Sequence, residues 1–129
     1  MADVDVVVIG AGVTGLACAR EMAAAGRSVC LIERHRGPGM ETSTHNSGVI
    51  HGGLYYPAGT LKARLCVRGA ALLYEFCAKH AVPHAQCGKF VIAAHDGEVP
   101  ALDALMACGM ANGMMGLEMV DAADAPVPV

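Results

Sequence analysis

Apolar residues fall along the chain in two kinds of run. Val4, Val6, Val7, Val8 and Ile9 make the stretch from Asp3 to Ile9 β-branched and apolar, without the alternation of a strand that has one wet face. That pattern predicts a central strand of a parallel sheet, buried on both sides. Gly10-Ala11-Gly12-Val13-Thr14-Gly15 follows at once. Leu16 to Ala25, rich in Ala, Leu and Met, then predicts a helix, with Gly26 where a helix C-terminal glycine belongs. Ser28 to Ile32 is a second short apolar run and closes on Glu33. The series strand, glycine turn, helix, strand is a βαβ unit.

From Arg34 to Gly59 no period is sustained, and Gly, Pro, Ser, Thr, Asn and His dominate. Aperiodic stretches of this length in compact domains are uncommon and usually functional, so this one is read as site-forming. Thr60 can cap a helix running to Lys79, with Leu61, Leu65, Leu72 and Phe76 on one face and Arg64, Arg68, Glu75 and Lys79 on the opposite one. The apolar face is expected to pack on a core. Pro83 stops the helix, Gly88 to Ala94 reads as a strand, and Asp96-Gly97 as a turn. A helix over Pro100 to Met110 and a short strand over Gly116 to Val120 complete the expected elements. The end from Asp121 to Val129 has two prolines and no period, which predicts fraying.

Composition narrows the class. A chain of 129 residues that is 54% hydrophobic can bury one modest core, since domains usually run roughly 100–150 residues. Nine basic and 12 acidic residues give a net charge of −3, and the cations are scattered, which argues against nucleic acid as a partner. The apolar stretch Val6 to Ala19 carries three glycines and lacks a cationic leader. It is neither a secretory signal nor a membrane span, which would need about 20 apolar residues. The expected location is therefore the cytoplasm, with any membrane contact peripheral, on the inner membrane face. Six cysteines in such a compartment are expected as thiols.

The chemistry is carried by the glycine turn. Gly10, Gly12 and Gly15 follow a buried-type strand and open a helix, with Glu33 roughly 20 residues on, at the end of the second strand, as a dinucleotide fingerprint requires. Gly10 permits the tight turn, Gly12 lets backbone N–H groups approach a pyrophosphate, and Gly15 lets helix pack on strand. The pyrophosphate would rest on the helix N-terminus, and Glu33 would accept from the adenosine ribose. A nicotinamide-binding fold would continue with another short connection, helix and strand. The next residues are instead Glu41-Thr-Ser-Thr-His-Asn-Ser-Gly-Val-Ile-His-Gly-Gly-Leu-Tyr-Tyr56, and that departure favours FAD.

The stretch Thr44 to Tyr56, continued by Gly59-Thr-Leu-Lys-Ala-Arg-Leu-Cys66 and Gln86-Cys-Gly-Lys89, resembles the L-2-hydroxyglutarate dehydrogenase/oxidase family, within the D-amino-acid-oxidase-like flavoproteins. The resemblance runs from the start of the chain to about Ala122. It implies an α/β, Rossmann-like FAD-binding domain over residues 1–82 and the beginning of a substrate-contacting region over 83–129. It further implies oxidation of L-2-hydroxyglutarate to 2-oxoglutarate, with a quinone or oxygen as electron acceptor. By the same resemblance Gly10, Gly12, Val13, Thr14, Gly15, Glu33 and Arg34 bind the ADP portion. Thr42, Ser43, His45, Asn46, Ser47 and Gly48 lie along the pyrophosphate, ribityl chain and flavin ring.

Two histidines are candidates for the chemistry. Oxidation of a 2-hydroxy acid needs the hydroxyl proton removed, and a histidine suits that work at neutral pH. His51 is favoured as base because it adjoins Gly52-Gly53, where a substrate could come close. His45 is the second candidate, and it resembles the position that carries a covalent flavin link in some relatives of the wider superfamily. Cys77, His80, His84 and Cys87 have zinc-ligand residue types at short spacing, but Cys77 belongs to an apolar helix face and Pro83 marks a simple helix end, so no metal is assigned. Clustered methionines from Met106 to Met119 read as flexible core filler. Two other readings stay open: a flavin enzyme of the same superfamily acting on an amino acid, and an inactive fragment or metal-binding module. Family members being about three times longer, the chain is expected to be truncated after Val120 and to expose apolar surface.

Overall fold

The computed structural model describes residues 3–121 and 123–125, which fall into two compact units, 3–49 and 50–125. The expected fraying end lies partly outside the described residues. The boundary between the units falls inside the aperiodic stretch.

In the first unit, β1 (Val6–Ile9) and β2 (Val29–Ile32) pair in parallel, Val6 opposite Val29 through Ile9 opposite Ile32. The sheet is pinned at both ends. Asp5 N–H donates to Ser28 Oγ (2.9 Å) and Ser28 N–H donates to Asp5 Oδ2 (2.8 Å), while Gly10 N–H donates to Ile32 O (2.7 Å). Ser28 Oγ–H also donates to Asp5 Oδ2 (2.9 Å), and the two Ser28 donors hold the Asp5 carboxyl below the usual carboxylate range, the backbone N–H having the larger effect. The connecting helix α1 runs Val13–Ala24, three residues earlier than the apolar pattern indicated, because it starts directly on the glycine turn. It ends as expected at Gly26, in the left-handed region (φ 78°), with Gly26 N–H donating to Ala23 O and Arg27 N–H to Met22 O. This is a Schellman end, which satisfies carbonyls that the helix itself leaves open.

One expectation for β1 needs correcting. The run predicts burial on both faces, but α1 covers one face alone, and on the other Val7 and Ile9 are 52% and 85% exposed. A β-branched run reports what a strand can bury, and α1 is the one element the first unit lays against it.

The second unit contains α2 (Leu61–Lys79), a single 3-10 turn (Asp96–Glu98) and α3 (Val99–Ala111). Thr60 caps α2 as expected, its Oγ1 accepting from Ala63 N–H (3.2 Å). The face of α2 that turns inward is not the leucine face. Ala63 and Cys77 are buried and Cys66, Val67, Ala70 and Tyr74 half-buried, whereas Leu61, Leu65, Leu72 and Phe76 are exposed. Close backbone approach explains the choice. Gly53 (φ 94°) sits so near α2 that a Cβ there would lie 3.0 Å from Val67 Cγ2 and 3.3 Å from Ala63 O, a distance that a leucine stripe would not permit.

The strands expected over 88–94 and 116–120 are absent. Neither segment finds a partner among the described residues, and a strand exists only where a neighbour takes its backbone groups. The buried Gly109 of α3 packs under Leu54 and Leu117, where a Cβ would meet their Cδ1 atoms at 2.9 and 2.6 Å. All six cysteines are thiols. Among the described residues no helix is long and apolar enough to cross a membrane.

Candidate functional site

The glycine turn, the end of β2 and the segment 39–43 enclose a cleft of about 390 Å³ in the first unit. Its walls follow from three local facts. Gly10 adopts φ 98°, which a residue with a Cβ rarely does, and this swings the chain out of β1. Gly15 then passes so close beneath that a Cβ would lie 1.9 Å from Gly10 O. Gly12 leaves room for Ser43, whose Oγ would sit 3.2 Å from a Cβ at position 12 and accepts from Val13 N–H at 2.9 Å.

Glu33 fastens the turn from the opposite strand. Its Oε2 accepts from Ala11 N–H (2.7 Å) and its Oε1 from His35 N–H (2.9 Å), and these two donors, His35 first, hold the carboxyl below the usual carboxylate range. A second strut crosses the cleft where Gly39 N–H donates to Ala11 O (2.9 Å). Among the described residues the N–H groups of Gly12, Thr14 and Gly15 meet no acceptor, and the first turn of α1 holds no carboxylate. Unpaired N–H groups at a helix start, with the positive end of the helix dipole behind them, suit an anion such as a pyrophosphate. Each Glu33 oxygen keeps a further lone pair for a ribose hydroxyl. The cleft therefore fits the ADP half of a dinucleotide.

The rim is charged. Glu41 accepts from the Arg34 guanidinium and lies 2.8 Å from His35 Nε2. His35 and then Arg34 hold the Glu41 carboxyl low, and Glu41 in turn raises Arg34. Farther along, Asn46 Nδ2 donates to Thr42 O (3.0 Å) and Ser43 O (3.1 Å) while its Oδ1 accepts from Gly48 N–H (2.8 Å), folding 42–48 into turns. His45 Nδ1 lies 2.9 Å from Glu41 O, and since a carbonyl can only accept, Nδ1 carries the proton and Nε2 is left as an acceptor.

Of the residues singled out from sequence, Gly10, Gly12, Glu33, Arg34 and Ser43 line the cleft. Val13, Thr14 and Gly15 form the helix start beside it. Thr42, His45, Asn46, Ser47 and Gly48 belong to the same unit but not to the lining, and His51 belongs to the second unit. His35, Gly39, Met40 and Glu41 line the cleft without having been anticipated. The Arg-His-Arg run after Glu33, opposite a lone Glu41, was their one available signal. The cysteine–histidine constellation forms no metal cluster among the described residues: the His80 ring lies against Phe76 and the His84 ring against Tyr74.

Comparison with known proteins agrees with this geometry. Residues 5–127 match the family described as DAO, FAD dependent oxidoreductase. The chain is 47% identical over 122 residues to a protein of Arabidopsis thaliana named "L-2-hydroxyglutarate dehydrogenase, mitochondrial", covering 95% of this chain and 25% of that protein. It is 42% identical over 122 residues to the human protein of the same name (93% and 26%) and 44% identical over 119 residues to that of Caenorhabditis elegans (91% and 28%). The chain thus spans about a quarter of the length of the curated relatives it matches. These names correct the cytoplasmic expectation, because all three relatives are named as mitochondrial. An apolar run that is not itself a secretory signal carries no information that separates one compartment from another. A fingerprint turn fastened by Glu33 and a family match over nearly the whole chain lead to one conclusion: this chain belongs to the FAD-dependent oxidoreductases of the DAO family, whose cofactor is FAD.

Proposed function

We propose that the chain is the FAD-binding portion of an enzyme that oxidises the 2-hydroxy group of L-2-hydroxyglutarate to give 2-oxoglutarate. The observation that carries this reading is the likeness to proteins named L-2-hydroxyglutarate dehydrogenase, joined to a cleft whose donors and carboxylate suit the ADP half of FAD. Gly12, Thr14 and Gly15 hold the pyrophosphate by backbone N–H groups, Gly10 and Val13 shape the turn through their own bonds to Ile32 O and Ser43 Oγ, Glu33 and Arg34 hold the adenosine, and residues 42–48 run along the rest. The region from residue 83 onward begins the part that contacts substrate. Bound FAD supplies the hydride acceptor. His51 takes the hydroxyl proton as C2 is oxidised, a role that suits a neutral imidazole. His45, with Nε2 free as an acceptor, is the second candidate. The electrons pass on to a quinone or to oxygen.

Visible absorbance of the purified chain, before and after acid precipitation, tests the cofactor assignment. Flavin bands are expected, and colour retained in the pellet would mean a covalent link at His45. A colourless protein that takes up no added FAD would refute binding by this chain. Replacing His51 with Gln in a full-length relative should abolish turnover while leaving flavin content unchanged, and intact turnover would remove His51 as base.

A further inference from the structure

In the second unit, Asn112 at the end of α3 donates through Nδ2 to Gly53 O (2.9 Å) and Tyr56 O (2.8 Å), and Cys108 Sγ reaches Tyr56 O at 3.2 Å. From the other side Gly53 is wedged against Val67 and Ala63 of α2. The turn 53–56 is therefore held from two helices, and it presents Tyr55 half-exposed. Lys89 comes to that ring from 34 residues away: its Nζ donates to Tyr55 Oη and lies 4.4 Å from the ring centroid. No carboxylate lies within 4.0 Å of Lys89 among the described residues.

A lysine side chain is flexible and strongly hydrated, and its charge is usually left to solvent or met by a carboxylate. Here the ammonium is fixed by a phenol and a ring, neither of which neutralises it. Tyr55 Oη accepts from Lys89, so its own hydrogen is free to donate, and the ammonium keeps two more. Two adjacent charge-assisted donors match the two oxygens of a carboxylate. We infer that Tyr55 and Lys89 form a carboxylate-binding pair, and that its ligand is a carboxylate of the 2-hydroxydicarboxylate substrate, an identification that rests on the function proposed above. Asn112 acts as a positioning residue, keeping the turn where Lys89 can reach it.

The test is a titration of the chain with L-2-hydroxyglutarate, and separately with inorganic phosphate, followed by NMR of the Tyr55 ring and the Lys89 side chain. Saturable shifts with the dicarboxylate are expected, weakened about tenfold or more in Lys89→Met and in Tyr55→Phe, as for loss of a charge-assisted hydrogen bond. Lys62→Met, which removes the neighbouring ammonium over Tyr56, should leave them unchanged. Absence of saturation, equal response to phosphate, or persistence in Lys89→Met would overturn the inference. FAD uptake by the same sample reports on the first unit: shifts without flavin uptake would sustain the pair and sink the cofactor-based reading, and flavin uptake without shifts would do the reverse.

Discussion

Replacing Gly15 with alanine sets two effects of opposite sign against each other. Gly15 lies in the first turn of α1, and in an ordinary helix position the exchange would gain about 1 kcal/mol from backbone entropy. A Cβ at this site, however, would lie 1.9 Å from Gly10 O and 3.1 Å from Gly10 C, where real Cβ contacts essentially never fall below 3.0 Å. The obstacle is backbone, and it cannot step aside, because Gly10 is held by its bond to Ile32 O (2.7 Å) at φ 98°. Overpacking of this kind costs about 3 kcal/mol when nothing flexible can yield, so the net loss is expected to be ~2 kcal/mol. Gly69 in α2 supplies the control, since a Cβ there meets nothing within 4 Å and alanine should stabilise by about 1 kcal/mol. Hydrogen exchange read by mass spectrometry resolves the two helices separately. Amides of α1 should exchange roughly 30-fold faster in Gly15→Ala, and those of α2 roughly fivefold slower in Gly69→Ala. Unchanged or slower exchange of α1 would refute the clash, since that is what helix propensity alone requires.

Glu33→Gln keeps the shape of the side chain but leaves one acceptor oxygen where Ala11 and His35 N–H groups need two, so FAD affinity should fall and the Ala11 amide should exchange faster even without cofactor. Unaltered flavin uptake by titration would show that the strut is dispensable. Acid should act on the same cleft: Glu33 and Glu41 both have lowered folded pKa values, so their contribution is complete above the ordinary carboxylate range and is lost as pH falls through the lowered values. Circular dichroism should therefore show stability flat near neutrality and declining below about pH 4, and a decline beginning near pH 6 would implicate histidines instead. Asn112→Ala removes a part-buried donor from Gly53 O and Tyr56 O, which keep only the Tyr56 N–H (3.4 Å) and Cys108 Sγ (3.2 Å), and should cost about 1 kcal/mol in urea denaturation of the second unit, a neutral result being incompatible with the clamp.

The first unit was legible because its information is local. Gly10 is required by its own φ of 98° and Gly15 by Gly10 O five residues back, Gly12 alone of the three answering to a distant residue, Ser43, and Gly26 and Thr60 end and begin helices by hydrogen bonds to adjacent turns. What failed depends on partners distant in the chain. Periodicity placed Leu61, Leu65, Leu72 and Phe76 correctly on one face of α2, but which face turns inward was decided by Gly53, whose approach needs small residues. The apolar run within 88–94 reads as a strand, yet a strand also needs a neighbour, about which a local run says nothing. In the cleft, Glu33 was anticipated for its place at the strand end. Glu41 and Gly39 were not, since Arg34 and Glu41 meet within a stretch without period and Gly39 meets Ala11 only across the whole helix and second strand.

The bonding of Glu33 bears on how quickly the cleft can be filled. With Ala11 N–H and His35 N–H already bound to its two oxygens, the glycine turn has its shape before any dinucleotide arrives. The loss of chain freedom falls in folding and is not charged again at encounter, so capture of the cofactor is limited by collision and orientation, without a slow ordering phase. How long the dinucleotide stays, and hence the affinity, is then governed by the rate at which it leaves an unchanging cradle.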